Sequence, residues 1–280
     1  MVEILIAIAI LGGLGLIFGL VLAAASKVFY VETDERLDAL NECLPGANCG
    51  GCGYAGCGGY AEAVLNGEAP IGACASGGNE CARAMAAIMG VEAQDMKRMV
   101  AFVRCSGYHM VDESGKQQGV KKKALYEGFK DCLAASKVGG DGPLACEYGC
   151  MGFGNCTKVC KYDAIHIVHG VAKVDREKCV GCMTCAGACP KGIISAVEYD
   201  KRVTIPCSSL AKGAATVRGC SQGCIGCGLC VKICPEQALR VENNLAVIDY
   251  EKCVSCGLCT TVCPKQLIQK IGEEVTVAAK

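Results

Sequence analysis

Cysteines arranged in short regular runs are the residues of this chain most able to do chemistry. The sequence has 26 cysteines among 280 residues, and three runs follow the spacing Cys-x2-Cys-x2-Cys-x3-Cys-Pro. In this spacing three thiolates bind one cluster and the fourth reaches over to a neighbouring cluster. The runs therefore predict iron–sulfur clusters and one-electron transfer. The runs are Cys179, Cys182, Cys185 and Cys189, then Cys224, Cys227, Cys230 and Cys234, then Cys253, Cys256, Cys259 and Cys263.

Two other uses of so many cysteines fit the sequence less well. A disulfide scaffold is typical of short secreted chains, and cysteines two residues apart are poorly placed to bridge to each other. Zinc sites take four ligands, usually as two separated pairs, and not triplets followed by Cys-Pro. A reducing cytosol keeps thiols free for iron. The composition thus favours a cluster protein whose metal-bearing part faces the cytoplasm.

A second type of cysteine motif precedes these runs in a glycine-rich stretch. Cys49, Cys52, Cys57 and Cys74 have the spacing Cys-x2-Cys-x4-Cys-x16-Cys, which supplies four thiolates for one four-iron cluster. Helix-like segments flank it at 34–42, 60–65 and 81–89, so we expect a small helical domain. Cys43 and Cys81 fall outside the motif and are interpreted as structural thiols, because free cysteine is among the most buried residue types.

The C-terminal half contains an internal repeat with an offset of 74 residues. The offset carries Cys179 to Cys253, and the flanking residues match as well. We therefore expect two tandem modules, each with two four-iron clusters and short hairpins such as 164–168 and 238–241. The expected ligand sets are Cys224, Cys227, Cys230 with Cys263; Cys253, Cys256, Cys259 with Cys234; and Cys179, Cys182, Cys185 with Cys160.

One site in the first module is irregular, because Phe153 stands where the repeat predicts a cysteine. Cys150, Cys156 and Cys189 then need a fourth ligand, and Cys146 is the nearest candidate. Four cysteines remain for a possible sixth cluster: Cys105, Cys132, Cys207 and Cys220. The alternatives are a pseudo-symmetric site of Cys132, Cys146, Cys207 and Cys220, with Cys105 completing the Cys150 set; a three-iron cluster at Cys150; or purely structural thiols.

The N-terminal segment is long and apolar enough to cross a membrane. Residues 4–25 contain no charged residue, and about 20 apolar residues span the hydrocarbon layer as a helix. A cleaved signal peptide is the rival, but no Lys or Arg precedes the run and its length exceeds a signal core. Lys27 and Arg36 follow the run while Glu3 precedes it, so the positive-inside rule predicts a single-pass protein of the cell membrane with its body in the cytoplasm.

These features predict an α+β protein: a transmembrane helix, a small helical four-iron cluster domain and two tandem bacterial-type 2[4Fe–4S] ferredoxin-like modules. The expected boundaries are 1–26 for the transmembrane helix, 27–36 for a linker, 37–100 for the helical domain, 101–145 for a connecting segment, 146–200 and 201–272 for the modules, and 273–280 for a tail.

Other chemistry finds little support in the sequence. No Gly-x-Gly-x-x-Gly motif lies between a strand and a helix, so nothing predicts an NAD site in this chain. His109, His166 and His169 are not spaced as metal ligands, and no nucleophile–base pair is recognisable, so we expect no catalytic residue. The formal net charge is zero, which gives no general case for nucleic acid.

A run of lysines is the one local charge feature. Lys121, Lys122 and Lys123, with Lys116 and Lys130, form a basic patch that could steer the docking of an acidic partner. The simpler interpretation is a solvated charged turn. If the patch steers docking, charge reversal lowers the rate of reduction by ferredoxin at low salt.

The order of these parts resembles the B subunit of the Rnf complex over essentially the whole chain. The stretch 45–57, Pro-Gly-Ala-Asn-Cys-Gly-Gly-Cys-Gly-Tyr-Ala-Gly-Cys, carries the most specific part of the resemblance. It implies an electron-entry subunit of a membrane ferredoxin:NAD oxidoreductase that moves Na+ or H+, with reduced ferredoxin and other membrane and flavin-bearing subunits as partners. Short members of this family carry one ferredoxin module, so the two modules expected here imply a long form of the subunit.

Two other functions remain open on the sequence alone. The chain could be a membrane-anchored polyferredoxin of another redox complex, such as a hydrogenase or heterodisulfide reductase. It could also be a non-redox metal-binding or scaffold protein, although three Cys-Pro runs argue against that. The identity of the subunits that copurify distinguishes a polyferredoxin of another complex from a subunit of the Rnf complex. An iron and sulfide assay distinguishes a non-redox protein from a cluster protein.

Overall fold

The structure, a computed structural model, describes residues 2–29, 34–111 and 117–271. The chain divides into two compact units, Met1–Ala39 and Leu40–Lys280. Part of the expected linker, Lys116 of the basic patch and the expected C-terminal tail lie outside the described residues.

The first unit consists mainly of helix α1, Val2–Val28. Its segment Ile10–Lys27 meets the length and composition needed to cross a membrane, and none of that segment is buried within the protein. Large apolar side chains such as Leu11 and Phe18 are exposed along it. Exposed apolar side chains along Ile10–Lys27 suit a lipid environment.

A small helical domain opens the second unit. Its helices are α2, Glu35–Glu42, which begins in the first unit; α3, Cys57–Leu65; and α4, Gly78–Met89. They correspond to the three helical segments predicted from the sequence. Leu40, Tyr60 and Met85, one on each helix, are fully buried. Gly90 ends α4 in the left-handed conformation, which glycine adopts without strain.

Two repeats with the same arrangement of strands and short helices make up most of the remainder. Repeat 1 contains strands β1, Met99–Val103; β4, Ile165–Val168; β5, Val171–Val174; and β6, Ile194–Glu198, with helices α6, Asn155–Lys158, and α7, Thr184–Gly187. Repeat 2 contains β7, Val203–Thr204; β8, Leu239–Glu242; β9, Leu245–Ile248; and β10, Gln269–Lys270, with α9, Leu229–Ile233, and α10, Leu258–Thr261.

The strands of each repeat form two antiparallel pairs. One is the predicted hairpin, β4 with β5 in repeat 1 and β8 with β9 in repeat 2. The other joins the first and last strands of the repeat, β1 with β6 and β7 with β10. Repeat 1 therefore starts at β1, before the boundary expected at residue 146. The cysteine spacing could not show this, because β1 contains no cysteine.

The expected connecting segment is largely an insertion within repeat 1, between β1 and Cys146. It holds strands β2, His109–Val111, and β3, Gln117–Gly119, and helix α5, Cys132–Ser136. The insertion contacts repeat 2: the Lys121 N–H donates to the Gly219 carbonyl at 2.9 Å, at the end of helix α8, Gly213–Gly219. The two repeats are thus joined through this insertion.

Each repeat has a small core in which cysteines are a large share of the buried residues. In repeat 1, Val100, Val171 and Val197 pack with Cys150, Cys156, Cys179 and Cys185. In repeat 2, Val203, Leu239 and Ile268 pack with Cys230 and Cys259. Cores of this size stabilise a fold weakly by apolar burial alone, so metal–thiolate bonds are expected to hold them together.

Candidate iron–sulfur sites

The glycine-rich motif brings four cysteines around one cavity. Cys49, Cys52, Cys57 and Cys74 line a space of about 350 Å³. Cys57 opens α3, where its N–H donates to the Asn48 side-chain oxygen at 2.8 Å. The Tyr60 hydroxyl accepts from the Ala73 N–H at 3.1 Å and so places the loop that carries Cys74. The four thiols of the motif therefore converge.

Cys81, left outside that motif, lies beside it. It is buried on α4, and its Sγ lies 3.7 Å from the Met85 sulfur. A hydrogen bond with Cys81 lowers the pKa of Cys74 to about 6 and raises that of Cys81. The thiols of Cys74 and Cys81 are therefore hydrogen-bonded neighbours, and Cys74 is the one that lines the cavity.

Repeat 2 contains two four-cysteine cavities that match the ligand sets expected from its runs. Backbone N–H groups donate to their sulfurs: Ala238 to Cys234 at 3.4 Å and Leu267 to Cys263 at 3.4 Å. Such bonds stabilise thiolates and tune cluster potential. The cavities measure about 380 and 360 Å³; the first is lined by Cys224, Cys227, Cys230 and Cys263, and the second by Cys234, Cys253, Cys256 and Cys259.

The regular set of repeat 1 also comes together. Burial raises the pKa of Cys185 to about 11, helped by the nearby charges of Cys179, Cys182 and Cys160. The Ala101 N–H on β1 donates to Cys179 Sγ at 3.3 Å, and the Ala164 N–H donates to Cys160 Sγ at 3.4 Å.

The irregular site of repeat 1 takes its fourth cysteine from the insertion, and not from Cys146. Cys132, Cys150, Cys156 and Cys189 line a cavity of about 370 Å³. Phe153 occupies the place where repeat 2 has Cys227, and its ring lies 5.4 Å from that of Tyr126. Cys146 is not among the residues that line this cavity. The expected pairing of Cys146 with the Cys150 set therefore differs from the structure.

A clamp of side chains explains why Cys132 reaches this cavity. The Cys132 N–H donates to the Asn155 side-chain oxygen at 2.8 Å, and the Asn155 amide donates to Asp131 at 2.8 Å. Asp131 also caps α5 by accepting from the Ala134 N–H at 2.9 Å. Because Asn155 precedes Cys156, the clamp ties the start of α5 to the cysteine run. This tertiary contact has no signature in the cysteine spacing.

A further cavity lies between the two repeats. Cys105, Cys146, Cys207 and Cys220 line a space of about 300 Å³. This set differs from both groupings considered from the sequence, because it contains Cys105 and Cys146 together and lacks Cys132. The missed signal is the resemblance of Val-Arg-Cys-Ser at 103–106 to Ile-Pro-Cys-Ser at 205–208. Each repeat thus contributes two cysteines from equivalent positions.

The donor sets suit multi-iron clusters better than single metal ions. Among the residues that the structure describes, no three His, Cys, Asp or Glu side chains converge closely enough to hold one ion. Four thiols that line one cavity suit a four-iron cluster, since each sulfur would bind a different iron.

Several buried cysteines that line these cavities have raised pKa values. Burial raises the pKa of Cys105 and Cys156 to about 12 and that of Cys220 to about 11, and neighbouring cysteine thiolates add to each shift. Burial, the larger cause, and repulsion between neighbouring thiolates keep these three thiols protonated at neutral pH without metal. Iron held by these cysteines would supply compensating charge, and the thiols would lose their protons when they bind it.

The Cys49 site and the Cys182 site lie against each other. A Cβ on Gly51 would lie 2.6 Å from the Cys182 carbonyl oxygen, so only glycine fits this approach without movement. The Thr184 hydroxyl lies within hydrogen-bonding distance of the Cys49 carbonyl at 3.3 Å and of Cys182 Sγ at 3.5 Å. Lys161 also reaches across, donating to the Asn48 carbonyl at 3.0 Å.

The basic run lies at the surface of the insertion. Lys121, Lys122, Lys123 and Lys130 are exposed, as are Leu125 and Phe129 between them. The Lys123 ammonium donates to the Gly140 carbonyl, so this lysine has a structural contact. His166 and His169 belong to the β4–β5 hairpin or its turn, and neither lines a cysteine cavity.

Comparison with known protein families agrees with the positions of the cysteine sites. Residues 44–76 match the family described as "Putative Fe-S cluster". Residues 172–195 match a 4Fe-4S binding domain, and residues 223–267 match a 4Fe-4S dicluster domain. These matches cover the Cys49 site, the regular run of repeat 1 and both sites of repeat 2.

Curated relatives resemble the chain over most of its length. The B subunit of the Na(+)-translocating ferredoxin:NAD(+) oxidoreductase complex of Acetobacterium woodii is 44% identical over 251 residues, which are 89% of this chain and 73% of the relative. The B subunit of the ion-translocating oxidoreductase complex of Methanosarcina acetivorans is 38% identical, covering 88% of this chain and 90% of the relative. The B subunit of the proton-translocating ferredoxin:NAD(+) oxidoreductase complex of Clostridium ljungdahlii is 41% identical, covering 84% and 81%. The chain belongs to the B-subunit family of ion-translocating oxidoreductase complexes, the Rnf complexes.

Proposed function

We propose that this chain is a membrane-anchored electron-transfer subunit that accepts electrons from reduced ferredoxin and passes them into an ion-translocating ferredoxin:NAD oxidoreductase complex. The observation that carries the proposal is the set of convergent cysteine sites, each with four thiols, within residues 40–271. The names of three relatives at 38–44% identity supply the complex and its reaction class. The chain contributes electron transfer and no NAD-site chemistry of its own.

Six four-iron clusters are the cofactor content that we infer from the cysteine sets. Five sets surround the cavities described above, and the sixth is the regular set of repeat 1. When bound, the clusters supply reversible one-electron redox chemistry. The proposed ligands are Cys49, Cys52, Cys57 and Cys74; Cys160, Cys179, Cys182 and Cys185; Cys132, Cys150, Cys156 and Cys189; Cys105, Cys146, Cys207 and Cys220; Cys224, Cys227, Cys230 and Cys263; and Cys234, Cys253, Cys256 and Cys259.

Direct contacts between neighbouring sets support their working as one series. The Cys49 loop touches Thr184 of the neighbouring set. The Cys150 N–H donates to Cys105 Sγ at 3.4 Å, and the Cys224 N–H donates to Cys207 Sγ at 3.4 Å. The Cys105 set therefore contacts a set on each side. In this role the residues hold the thiols, exclude water and fix the spacing between sites.

The arrangement in the membrane follows from α1. We infer that α1 crosses the cell membrane once and that the cluster-bearing unit lies in the cytoplasm, because Lys27 follows the apolar span and Glu3 precedes it. A cytoplasmic position also keeps the thiols reduced. Other membrane and flavin-bearing subunits of the complex are the expected partners of this helix and body.

Electron uptake by the isolated chain tests this function. The full-length protein, purified anaerobically in detergent, is mixed with reduced 2[4Fe–4S] ferredoxin, and bleaching of its cluster absorbance is followed. We expect rapid bleaching, together with copurification of membrane and flavin subunits from native membranes. A protein that holds iron and sulfide but takes no electrons from ferredoxin, or that copurifies with a hydrogenase, would contradict the proposal.

A further inference from the structure

The second cysteine of the last run has a different environment in the two repeats. Cys182 of repeat 1 is half-buried, whereas its counterpart Cys256 of repeat 2 is exposed. The loop of the Cys49 site lies against Cys182. A Cβ on Gly51 in this loop would lie within 3.1 Å of both the backbone and the Cβ of Cys182. In repeat 1, a second cysteine site of the same chain is thus seated on this face.

The equivalent face of repeat 2, which we call the Cys256 face, comprises Val254, Cys256 and Leu258. Val254 is 64% exposed and Leu258 46% exposed, whereas their counterparts Val180 and Thr184 are half-buried. Val254, Cys256 and Leu258 also line the cavity of the Cys253 set, so the face lies directly over that site. Apolar side chains exposed around a metal-ligand candidate are typical of an interaction site.

We propose that the Cys256 face is the docking surface for reduced ferredoxin, a small iron–sulfur protein that would seat there as the Cys49 loop seats on Cys182. The proposal rests on the proposed function, which supplies the donor. The seated Cys49 loop shows that this local backbone accommodates a second cluster-binding loop at contact distance. Close approach matters, because the rate of electron transfer falls steeply with the distance between redox centres.

The shape and size of the face suit a transient partner. Three exposed side chains with a thiol at their centre offer a small contact area, which is typical of weak electron-transfer encounters. Gly257 lies between Cys256 and Leu258 and is buried against the Lys270 side chain. The backbone beside the exposed thiol is therefore held in place without a bulky side chain to keep a partner away.

Repeat 2 has a second exposed cysteine, Cys227, and its counterpart in repeat 1 has different neighbours from the counterpart of Cys256. Cys227 is exposed beside Leu229, which is 42% exposed. Its counterpart in repeat 1 is Phe153, whose ring lies 5.4 Å from the Tyr126 ring and which packs against a core cluster of the insertion. The seated Cys49 loop is therefore a precedent for the Cys256 face, whereas the counterpart of the Cys227 surface is occupied by the insertion.

The two surfaces provide a matched pair of substitutions for the test. Leu258 and Leu229 each stand in the sequence Cys-Gly-Leu-Cys and are about equally exposed. The full-length chain carrying Leu258→Glu or Leu229→Glu is titrated with oxidised bacterial 2[4Fe–4S] ferredoxin, so that binding is measured without electron transfer. We expect Leu258→Glu to weaken binding about tenfold or more, as at a central interface residue, and Leu229→Glu to change it by less than about twofold.

Reduction kinetics and iron content complete the test. Both variants should retain the iron content of the unsubstituted chain, and only Leu258→Glu should slow bleaching by reduced ferredoxin, also about tenfold. Equal effects of the two substitutions, or no effect of Leu258→Glu, would overturn the proposal. So would weakening by charge reversal at Lys121, Lys122 and Lys123 alone, which would place docking on the insertion.

Failure of the proposed function would look different. In that case the unsubstituted chain, with its full iron content, would neither bind nor oxidise ferredoxin. If Leu258→Glu left ferredoxin binding intact but prevented copurification of the other subunits, the Cys256 face would belong to an interface within the complex, and the docking proposal would be overturned while the function stood.

Discussion

Cys105 and Cys207 occupy equivalent positions in the two repeats, and each sulfur accepts a hydrogen bond at 3.4 Å from the N–H of the first cysteine of its cluster run. Both sulfurs border the same cavity between the repeats. The site at the centre of the cysteine series is thus built from duplicated parts. A duplication of one module would create such a site wherever two copies pack face to face.

The assignment of Cys132 and Cys146 to different sites predicts a specific pattern of iron loss. Cys132→Ser with Cys150→Ser removes two ligands of one cluster, so the protein should lose about four irons. Cys146→Ser with Cys150→Ser damages two clusters, so it should lose about eight. Iron and acid-labile sulfide assays on the two double variants provide the measurement, and each variant is the control for the other. A loss of about eight irons in the Cys132 double variant and about four in the Cys146 double variant would instead assign Cys146 to the Cys150 site.

Phe153 offers a way to rebuild the regular run. In the Cys132→Ser background, Phe153→Cys completes the spacing Cys-x2-Cys-x2-Cys between Cys150 and Cys156 and should restore the four irons lost. The same substitution in the unchanged chain should add no iron, because the site already has four thiols. EPR of the dithionite-reduced protein follows the recovered cluster. Failure of the double variant to regain iron would mean that Tyr126 and its neighbours leave no room for a ligand at position 153.

Gly51 should be intolerant of a side chain because of its contact with Cys182. A Cβ there would lie 2.9 Å from the Cys182 Cβ, and forced packing of this kind costs about 1–3 kcal/mol. Gly51→Ala should therefore increase hydrogen exchange in the loop 47–57 and slow electron transfer between the helical domain and repeat 1. Gly59→Ala is the control, since a Cβ there meets nothing within 4 Å and lies in α3. If Gly51→Ala and Gly59→Ala gave the same hydrogen exchange and the same electron-transfer rate, the contact between Gly51 and Cys182 would not determine the position of the loop.

Removal of iron should unfold the second unit, Leu40–Lys280, while leaving α1 helical. The cores of the repeats are small and cysteines are among their buried residues, and burial raises the pKa of Cys105 and Cys156 to about 12, so that these thiols are neutral without metal. Anaerobic chelation in detergent should thus abolish most circular dichroism from residues 40–271 and keep the signal of Val2–Val28. A chelated protein that retained its strand and helix content, with unchanged proteolytic resistance, would contradict this expectation.

The sequence predicted those cysteine sets whose geometry is local. The Cys-x2-Cys-x2-Cys-x3-Cys-Pro runs place three thiols within a few residues of each other, and the rule that the fourth thiol reaches to the neighbouring cluster predicts the remote member of each set. The helices of the small domain and both hairpins are likewise present in the structure. These features depend on short-range spacing and turn formation, which the amino-acid sequence records directly.

The sets that the sequence did not resolve depend on tertiary contacts. Cys132 reaches the Cys150 cavity through the Asn155–Asp131 clamp, and Cys146 is brought to Cys220 by pairing of the insertion with repeat 2. The alignment of Cys105 with Cys207 was hidden because the insertion separates Cys105 from the rest of its repeat. Strand β1 was missed for the same reason: its partner β6 lies about 90 residues away.

The decisive measurement is the iron and acid-labile sulfide content of the full-length protein, purified anaerobically in detergent. Six four-thiol sites predict about 24 irons and as many sulfides per chain. A content of about 20 irons, unchanged by Cys207→Ser and Cys220→Ser, would show that the cavity between the repeats holds no cluster and would contradict the assignment of six sites.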